Sequence, residues 1–339
     1  MDSCVFYKIG ETTSAYLVLY VDDLLLACST VDFFIDLKTY LSKHLKITSH
    51  ACTKFVGLEI IQNEDRTKTT IHQSTYIQES VSKIEDIVGH QISPVSTPLP
   101  IKAKISKLNP HTDTACDPTI FRSIIGILNY ISCASRPDIT FSVNLLAQYM
   151  QEPSQDHLQH LLHIAGYLKS FPDGKIVYQR GGDLNLHSYA DADHGNCPET
   201  LRSTSGILVR LAGGPIHWSA KKQARACGSG SSESEYIALY FASTATLFYR
   251  ELLLELKLIS QAPTPILEDN SGALEFVHGH VRSNKLIHIE RKFRAVMDQV
   301  ADRTFIVKKV SSESQLADIL TKTLSVTDFY RIRRVLLRD

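Results

Sequence analysis

The residues best suited to chemistry in this chain of 339 residues are carboxylates. In its second half, Asp191 and Asp193 follow a β-prone run and Glu233 and Glu235 open a long helical pattern. Asp269 ends a later β-prone run, and Asp318 begins a final helical one. Hard divalent cations take oxygen ligands, and two ions about 4 Å apart activate water and stabilise the leaving oxygen of a phosphodiester. Acids converging from separate elements suit that task. The same residue types at strand ends and helix starts also act as turn formers, caps and dipole partners, so spacing alone leaves both readings open. In the first half, Asp22 and Asp23 separate the apolar runs 16–21 and 24–28, which reads as a tight hairpin with two carboxylates at its tip.

The elements that must position these acids follow from periodicity. Phe33, Phe34, Leu37, Tyr40, Leu41 and Leu45 predict a helix over 31–45. Strands are expected at 55–61 and 69–73 and a helix at 76–88. The stretch 94–110, with Pro94, Pro98, Pro100 and Pro110, reads as a linker. Helices are predicted over 120–134, 139–150 and 156–170, interrupted at Arg136-Pro137 and near Pro153, where the proline ring and missing N–H oppose continuation. After Pro172-Asp173-Gly174 the pattern turns to strands at 176–179, 184–190, 206–211 and 216–219. A long helix over 232–258 leads to a strand at 265–267, helices at 271–278 and 286–300, a strand at 305–310 and a helix at 314–320. From residue 184 the order is βββαβααβα, an α/β (α+β) arrangement whose first three strands can form a meander.

Composition narrows the classes. With 43% hydrophobic residues and 36 Lys+Arg against 36 Asp+Glu, the chain is neither disordered, collagen-like nor a coiled coil. The balance is uneven: 282–339 holds 13 basic and 7 acidic residues, a solvated helical surface or a face for nucleic acid. Seven scattered cysteines without a C-x-x-C pair fit a reducing, intracellular setting. No leader pattern opens the chain, and no apolar stretch approaches the roughly 20 residues of a membrane span, so no membrane partner is expected.

Six ordered segments resemble the ribonuclease H domain of Copia-type long-terminal-repeat retrotransposon Pol polyproteins. They are Ser188-Tyr189-Ala190-Asp191-Ala192-Asp193, Arg202-Ser203-Thr204-Ser205-Gly206, Trp218-Ser219-Ala220-Lys221-Lys222-Gln223, Ser232-Glu233-Ser234-Glu235-Tyr236-Ile237-Ala238, Glu268-Asp269-Asn270-Ser271 and Leu316-Ala317-Asp318-Ile319-Leu320-Thr321-Lys322. The resemblance implies a five-stranded mixed sheet with flanking helices that cleaves the RNA strand of an RNA–DNA hybrid with two Mg²⁺ ions, Mn²⁺ being an alternative. It makes Asp191 the central bridging ligand, with Asp269 and Asp318 beside it. The helix ligand is Glu235 or Glu233, and Glu235-Tyr236-Ile237-Ala238 matches the family's helix start better. Two departures remove no ligand: His194 replaces the usual aromatic after Asp-Ala-Asp, and Glu268 replaces the usual Cys, adding a charge beside Asp269. Lys221, Lys222, Lys285, Arg291, Arg294, Lys308 and Lys309 are candidates for backbone phosphate contacts.

The first half resembles the same family's reverse transcriptase. Tyr20-Val21-Asp22-Asp23 is similar to its metal-binding Tyr-x-Asp-Asp hairpin, and Phe55-Val56-Gly57-Leu58-Glu59-Ile60, Phe121-Arg122-Ser123 and Arg136-Pro137-Asp138-Ile139 are similar to its connection region. Only 21 residues precede Asp22, and Asp2 and Glu11 are the only acids among them. The third polymerase aspartate is therefore expected to be missing, and primer extension by the chain alone is not expected. The expected layout is a partial palm over 1–93, a linker and helical connection over 94–180, a ribonuclease H-like domain over 181–325 and a basic tail over 326–339. The expected function is hybrid cleavage by the second half. The alternatives are a nucleic-acid-binding remnant without catalysis, or polymerase activity only within a longer polyprotein that supplies the missing N-terminal part. His157, His160 and His163, at helical spacing, read as a polar helix face, not a zinc site.

Overall fold

The N-terminal apolar runs pair as a meander. In the computed structural model, strands β1 (Val5–Ile9), β2 (Ser14–Tyr20) and β3 (Asp23–Cys28) form an antiparallel sheet in that order. The structure describes residues 3–101, 103, 105–181, 184–195, 197, 199–226, 231–278 and 290–338, with only the backbone of 290–293. Tyr20 pairs with Asp23, leaving Val21 and Asp22 as the turn. Val21 has a φ of 54°, a left-handed backbone that a β-branched side chain resists, so the hairpin stores strain beside its acids. Helix α1 (Val31–Ser42) buries none of its residues.

The expected strand 55–61 is split. Val56 and Gly57, at φ 49° and 78°, make a two-residue turn between β4 (Lys54–Phe55) and β5 (Leu58–Gln62). Strand β6 (Lys68–His72) and helix α2 (Ser74–Val88) follow, and α2 ends on the left-handed Gly89. Among its described residues the proline-rich stretch has no regular structure, yet Leu99 and Ile105 are buried in the core. Helices α3 (Pro118–Ala134), α4 (Thr140–Ala147) and α5 (Gln155–Ser170) form the connection. His157 is a cap residue: it closes a capping box with Ser154, bonds Ser106 O at 2.8 Å and stacks on Tyr149. Strand β7 (Ile176–Gln179) returns to pair with β6, completing a sheet in the order β4-β5-β6-β7.

The second half carries strands β8 (His187–Ala192), β9 (Thr204–Leu211) and β10 (Gly214–Lys222), helix α6 (Ser231–Glu255), strand β11 (Thr264–Glu268), helices α7 (Ser271–Val277) and α8 (Glu290–Ala301) and strand β12 (Phe305–Lys309). The sheet order is β10-β9-β8-β11-β12. Strand β9 is antiparallel to both β10 and β8, and β11 is parallel to both β8 and β12. This is the five-stranded mixed sheet with flanking helices that the family resemblance implies. Alternation divides its faces. Ala190, Ile207 and Val209 pack with Tyr236, Ala238, Leu239 and Ala242 of α6. Tyr189, Leu208 and Ala220 join the core built by α2 to α5. Helix α6 is long and apolar enough to cross a membrane by length and composition, which the sequence reading did not anticipate. It spends that apolar face on the sheet.

Two C-terminal expectations change. The segment 314–320, read as one helix, is two 3-10 turns, Ser312–Ser314 and Leu316–Leu320. The buried Gln315 between them is extended, and its amide reaches Ala190 O at 2.8 Å. The segment 326–339, read as a basic tail, carries helix α9 (Val326–Leu336), whose Phe329, Ile332 and Leu336 enter the connection core. Its Arg333 is buried beside Asp138, which Arg136 grips through two bonds of 2.9 and 2.7 Å and to which Tyr167 donates at 2.5 Å.

Candidate metal centre

Three elements end at one place. Asp191 lies near the end of β8, opposite Gly206 of β9. Glu235 is the fifth residue of α6, just past its first turn, and Asp269 follows β11 directly. Oxygen atoms of these three carboxylates all lie within 4.8 Å of one another. Neighbours fix each acid: Thr321 donates to Asp191 Oδ2, Ala192 N donates to Glu235 Oε2 at 2.7 Å, and Ser312 Oγ donates to Asp269 Oδ2 at 2.7 Å. Asp318, in the second 3-10 turn, stands beside Asp191 and is held by Lys322 Nζ at 2.7 Å. The same ammonium lies 3.9 Å from Asp191.

Gly206 makes this approach possible. A Cβ there would meet Thr321 Cγ2 at 2.6 Å and Ala317 O at 2.9 Å, so only glycine lets the turn bearing Asp318 rest on the sheet. Sequence reasoning quoted Gly206, Thr321 and Lys322 inside motifs without giving them work. The signal was an unpatterned Gly within a β-prone run and a Thr-Lys pair one turn after an acid.

The acids are poorly compensated as they stand. Burial, then the charge of Asp191, pushes Glu235 up to about 9. Burial and Asp191 push Asp318 up to about 7. Asp191 is also raised, chiefly by burial, with Lys322 and Thr321 opposing. Glu268, wholly buried on the last residue of β11, is raised well above its ordinary value by burial and by Glu235. Its Oε2 has no hydrogen-bond partner, while Oε1 accepts from Asn270 N. Four or five acids facing one another in a buried pocket need positive charge. Donors that are carboxylate oxygens only fit a hard divalent cation such as Mg²⁺ or Mn²⁺.

The remaining candidates separate. Glu233 lies on the same helix turn but outside the group of three, and Asp193 Oδ1 accepts from Thr204 N at 2.8 Å instead of joining it. Asp22 and Asp23 are exposed and join no group of three ligands among the described residues; Asp2 lies outside them. Lys221, Arg294, Lys308 and Lys309 are exposed, and Lys309 donates to Ser271 Oγ at 2.5 Å. Lys222 is half-buried, its ammonium bonding Gln148 Oε1 at 2.8 Å and Cys197 Sγ at 2.7 Å. Lys285 and the side chain of Arg291 lie outside the described residues. Trp218 packs in the connection core and donates to Ser132 O at 2.7 Å.

No family model matches the chain. It is 33% identical over 331 residues to the retrovirus-related Pol polyprotein from transposon RE1 of Arabidopsis thaliana, matching 97% of this chain and 22% of that protein. A putative transposon Ty5-1 protein of Saccharomyces cerevisiae is 32% identical over 235 residues, 69% of this chain and 74% of that protein. The chain thus spans under a quarter of the RE1 polyprotein and most of the Ty5-1 protein. Among solved structures, the ribonuclease H1 of the halophilic archaeon Halobacterium salinarum aligns with 40% of this chain and 93% of its own, at 17% identity and a TM-score of 0.30.

Proposed function

This chain belongs to the retrovirus-related Pol polyproteins of Copia-type transposons, and we propose that its second half is a ribonuclease H that hydrolyses the RNA strand of RNA–DNA hybrids. One observation carries this reading: carboxylates from a central strand, a helix start and a neighbouring strand end bring their oxygens within 4.8 Å, with Asp318 alongside. Asp191, Glu235, Asp269 and Asp318 would hold two divalent ions, Mg²⁺ or Mn²⁺. When bound, such ions lower the pKa of water and stabilise the oxygen leaving phosphorus in an in-line displacement.

The chain's own groups prepare that chemistry. The Thr321 hydroxyl and the Ala192 N–H orient Asp191 and Glu235, so their lone pairs are fixed before a cation arrives. Ser312 does the same for Asp269. Glu235 and Asp318, both raised, give up protons as positive charge enters. The exposed Lys221, Arg294, Lys308 and Lys309 supply phosphate contacts that set register, while contacts to 2′-hydroxyls tell the RNA strand from the DNA strand.

Asp22 and Asp23 belong, on this reading, to a polymerase palm whose chemistry we assign to the longer polyprotein. The exposed Phe6, Tyr20, Leu24, Ile35 and Tyr40 support a packing partner for that region, the upstream reverse transcriptase segment. An intracellular site of action is part of the proposal.

The test uses a labelled RNA–DNA hybrid with the purified chain in Mg²⁺ and in Mn²⁺. Cleavage of the RNA strand that disappears with EDTA and in Asp191→Asn is expected. A folded chain that binds hybrid but never cuts it would overturn the assignment in favour of a binding remnant.

A further inference from the structure

Lys322 is a cation among acids that the proposed chemistry does not use. Its ammonium lies 2.7 Å from Asp318 and 3.9 Å from Asp191. Among the described residues it is the cation paired with the cluster. The three oxygens that lie mutually within 4.8 Å come from Asp191, Glu235 and Asp269, so one divalent ion has a ready site there. Asp318 lies outside that group, and the edge it shares with Asp191 is spanned by Lys322. A second divalent ion using Asp191 as a shared ligand would have to lie on this edge. Ammonium and divalent ion cannot share it, because at such distances like charges repel strongly in a buried site. The Lys322 side chain is 40% exposed, so its head can leave toward solvent without breaking the core.

Resting on the metal-centre reading above, we propose that Lys322 is a built-in counterion occupying the second cation's place between Asp191 and Asp318. It yields that place by swinging its ammonium onto the phosphate backbone of bound nucleic acid. The first ion then binds the free chain, and loading of the second is tied to the presence of substrate. Lys322 is a positioning residue in this scheme, acting through the occupancy of the Asp191–Asp318 edge.

The experiment is Mn²⁺ binding to the full chain, followed by electron paramagnetic resonance, with and without a DNA duplex that offers phosphates but no cleavable RNA strand. Wild type and Lys322→Arg should bind one ion well and a second about tenfold or more weakly, the duplex strengthening the second step. Lys322→Gln should bind the second ion at least about tenfold more tightly than wild type without the duplex, and the duplex should then add little. Should Lys322→Gln fail to fold by circular dichroism, the wild-type comparison with and without duplex decides alone. Identical isotherms for wild type and Lys322→Gln, or a wild-type second step indifferent to duplex, overturn the proposal and leave the metal centre standing. Failure of wild type to bind any Mn²⁺, with Asp191→Asn no different, overturns the metal centre and this inference together.

Discussion

Without divalent cations, this chain should lose stability as pH rises above neutrality. Glu235 is 7% exposed and its carboxyl is pushed up to about 9, first by burial and then by Asp191. Its ordinary value is 4.5, so the unfolded chain is ionised there throughout the neutral range while the folded chain keeps the proton. The folded value being raised, the stabilisation is fully present below the unfolded value and is lost as pH climbs through the folded one. With one extra proton in the folded state, the slope is about −1.4 kcal/mol per pH unit, or about 1.4 kcal/mol between roughly pH 7.5 and 8.5. Glu268, wholly buried and raised well above its ordinary value, pushes in the same direction. Its contribution and that of Glu235 are less than additive because the two acids face one another. Starting at about pH 7.5 keeps the window above the titration of His157, His160, His163, His187 and His217, which burial lowers and which are then largely neutral in both states. Urea unfolding of the full chain in EDTA gives the measurement, read by fluorescence of Trp218, the single tryptophan. Saturating Mg²⁺ should flatten the slope, because the carboxylates are then held ionised, and Glu235→Gln should remove about one proton's share. A midpoint in EDTA that stays level or rises over this range refutes the reasoning, as does a slope untouched by Glu235→Gln.

Three further outcomes test other parts of the molecule. Gly206→Ala should cost about 1–3 kcal/mol in urea midpoints and lower hybrid cleavage, because its methyl meets Thr321 and the Ala317 carbonyl; an unchanged midpoint would show that the turn gives way freely. Asp138→Asn leaves Arg136 and Arg333 buried with their carboxylate gone, and should destabilise the full chain by about 3–5 kcal/mol. Trp218→Phe should lose about 1 kcal/mol, because the Ser132 carbonyl loses its shorter bond and keeps only the longer one from Thr140 Oγ1, while hybrid cleavage by the folded fraction stays the same.

What the sequence made legible was the part governed by local pattern. The antiparallel meander and long helix of the second half emerge from alternation and apolar spacing, and acids at their ends fall where the strands stop. Glu235 and Glu233 could not be separated by spacing, since they stand two residues apart at the start of α6; the phase of that helix against β8 separates them in space. The replacement of a helix by two 3-10 turns at 312–320 was hidden, because it depends on Gln315 inserting its amide against Ala190, 125 residues away. Strand β7 was recognised as a strand, but its pairing with β6 is non-local and leaves no mark on its own composition. Arg333 looked like one more basic residue of a tail. Its burial follows from Asp138 and Tyr167, which nothing near it in the chain announces.

The docking of α9 also constrains how the molecule can come into being. A chain emerging from a ribosome delivers Asp138 and Arg136 early, as a pair whose surroundings are still incomplete. Arg333 reaches Tyr167 across 166 residues, and strand β7 must return to β6 before that. Ties between residues so far apart are slow to close and leave apolar surface open while they wait. The connection core therefore cannot set until the whole sheet carrying Asp191 has been made and the last helix has arrived. Folding of the carboxylate site and of the region before it is thus completed together only once α9 has been made, and a nascent chain stalled before Val326 would offer chaperones an open connection core.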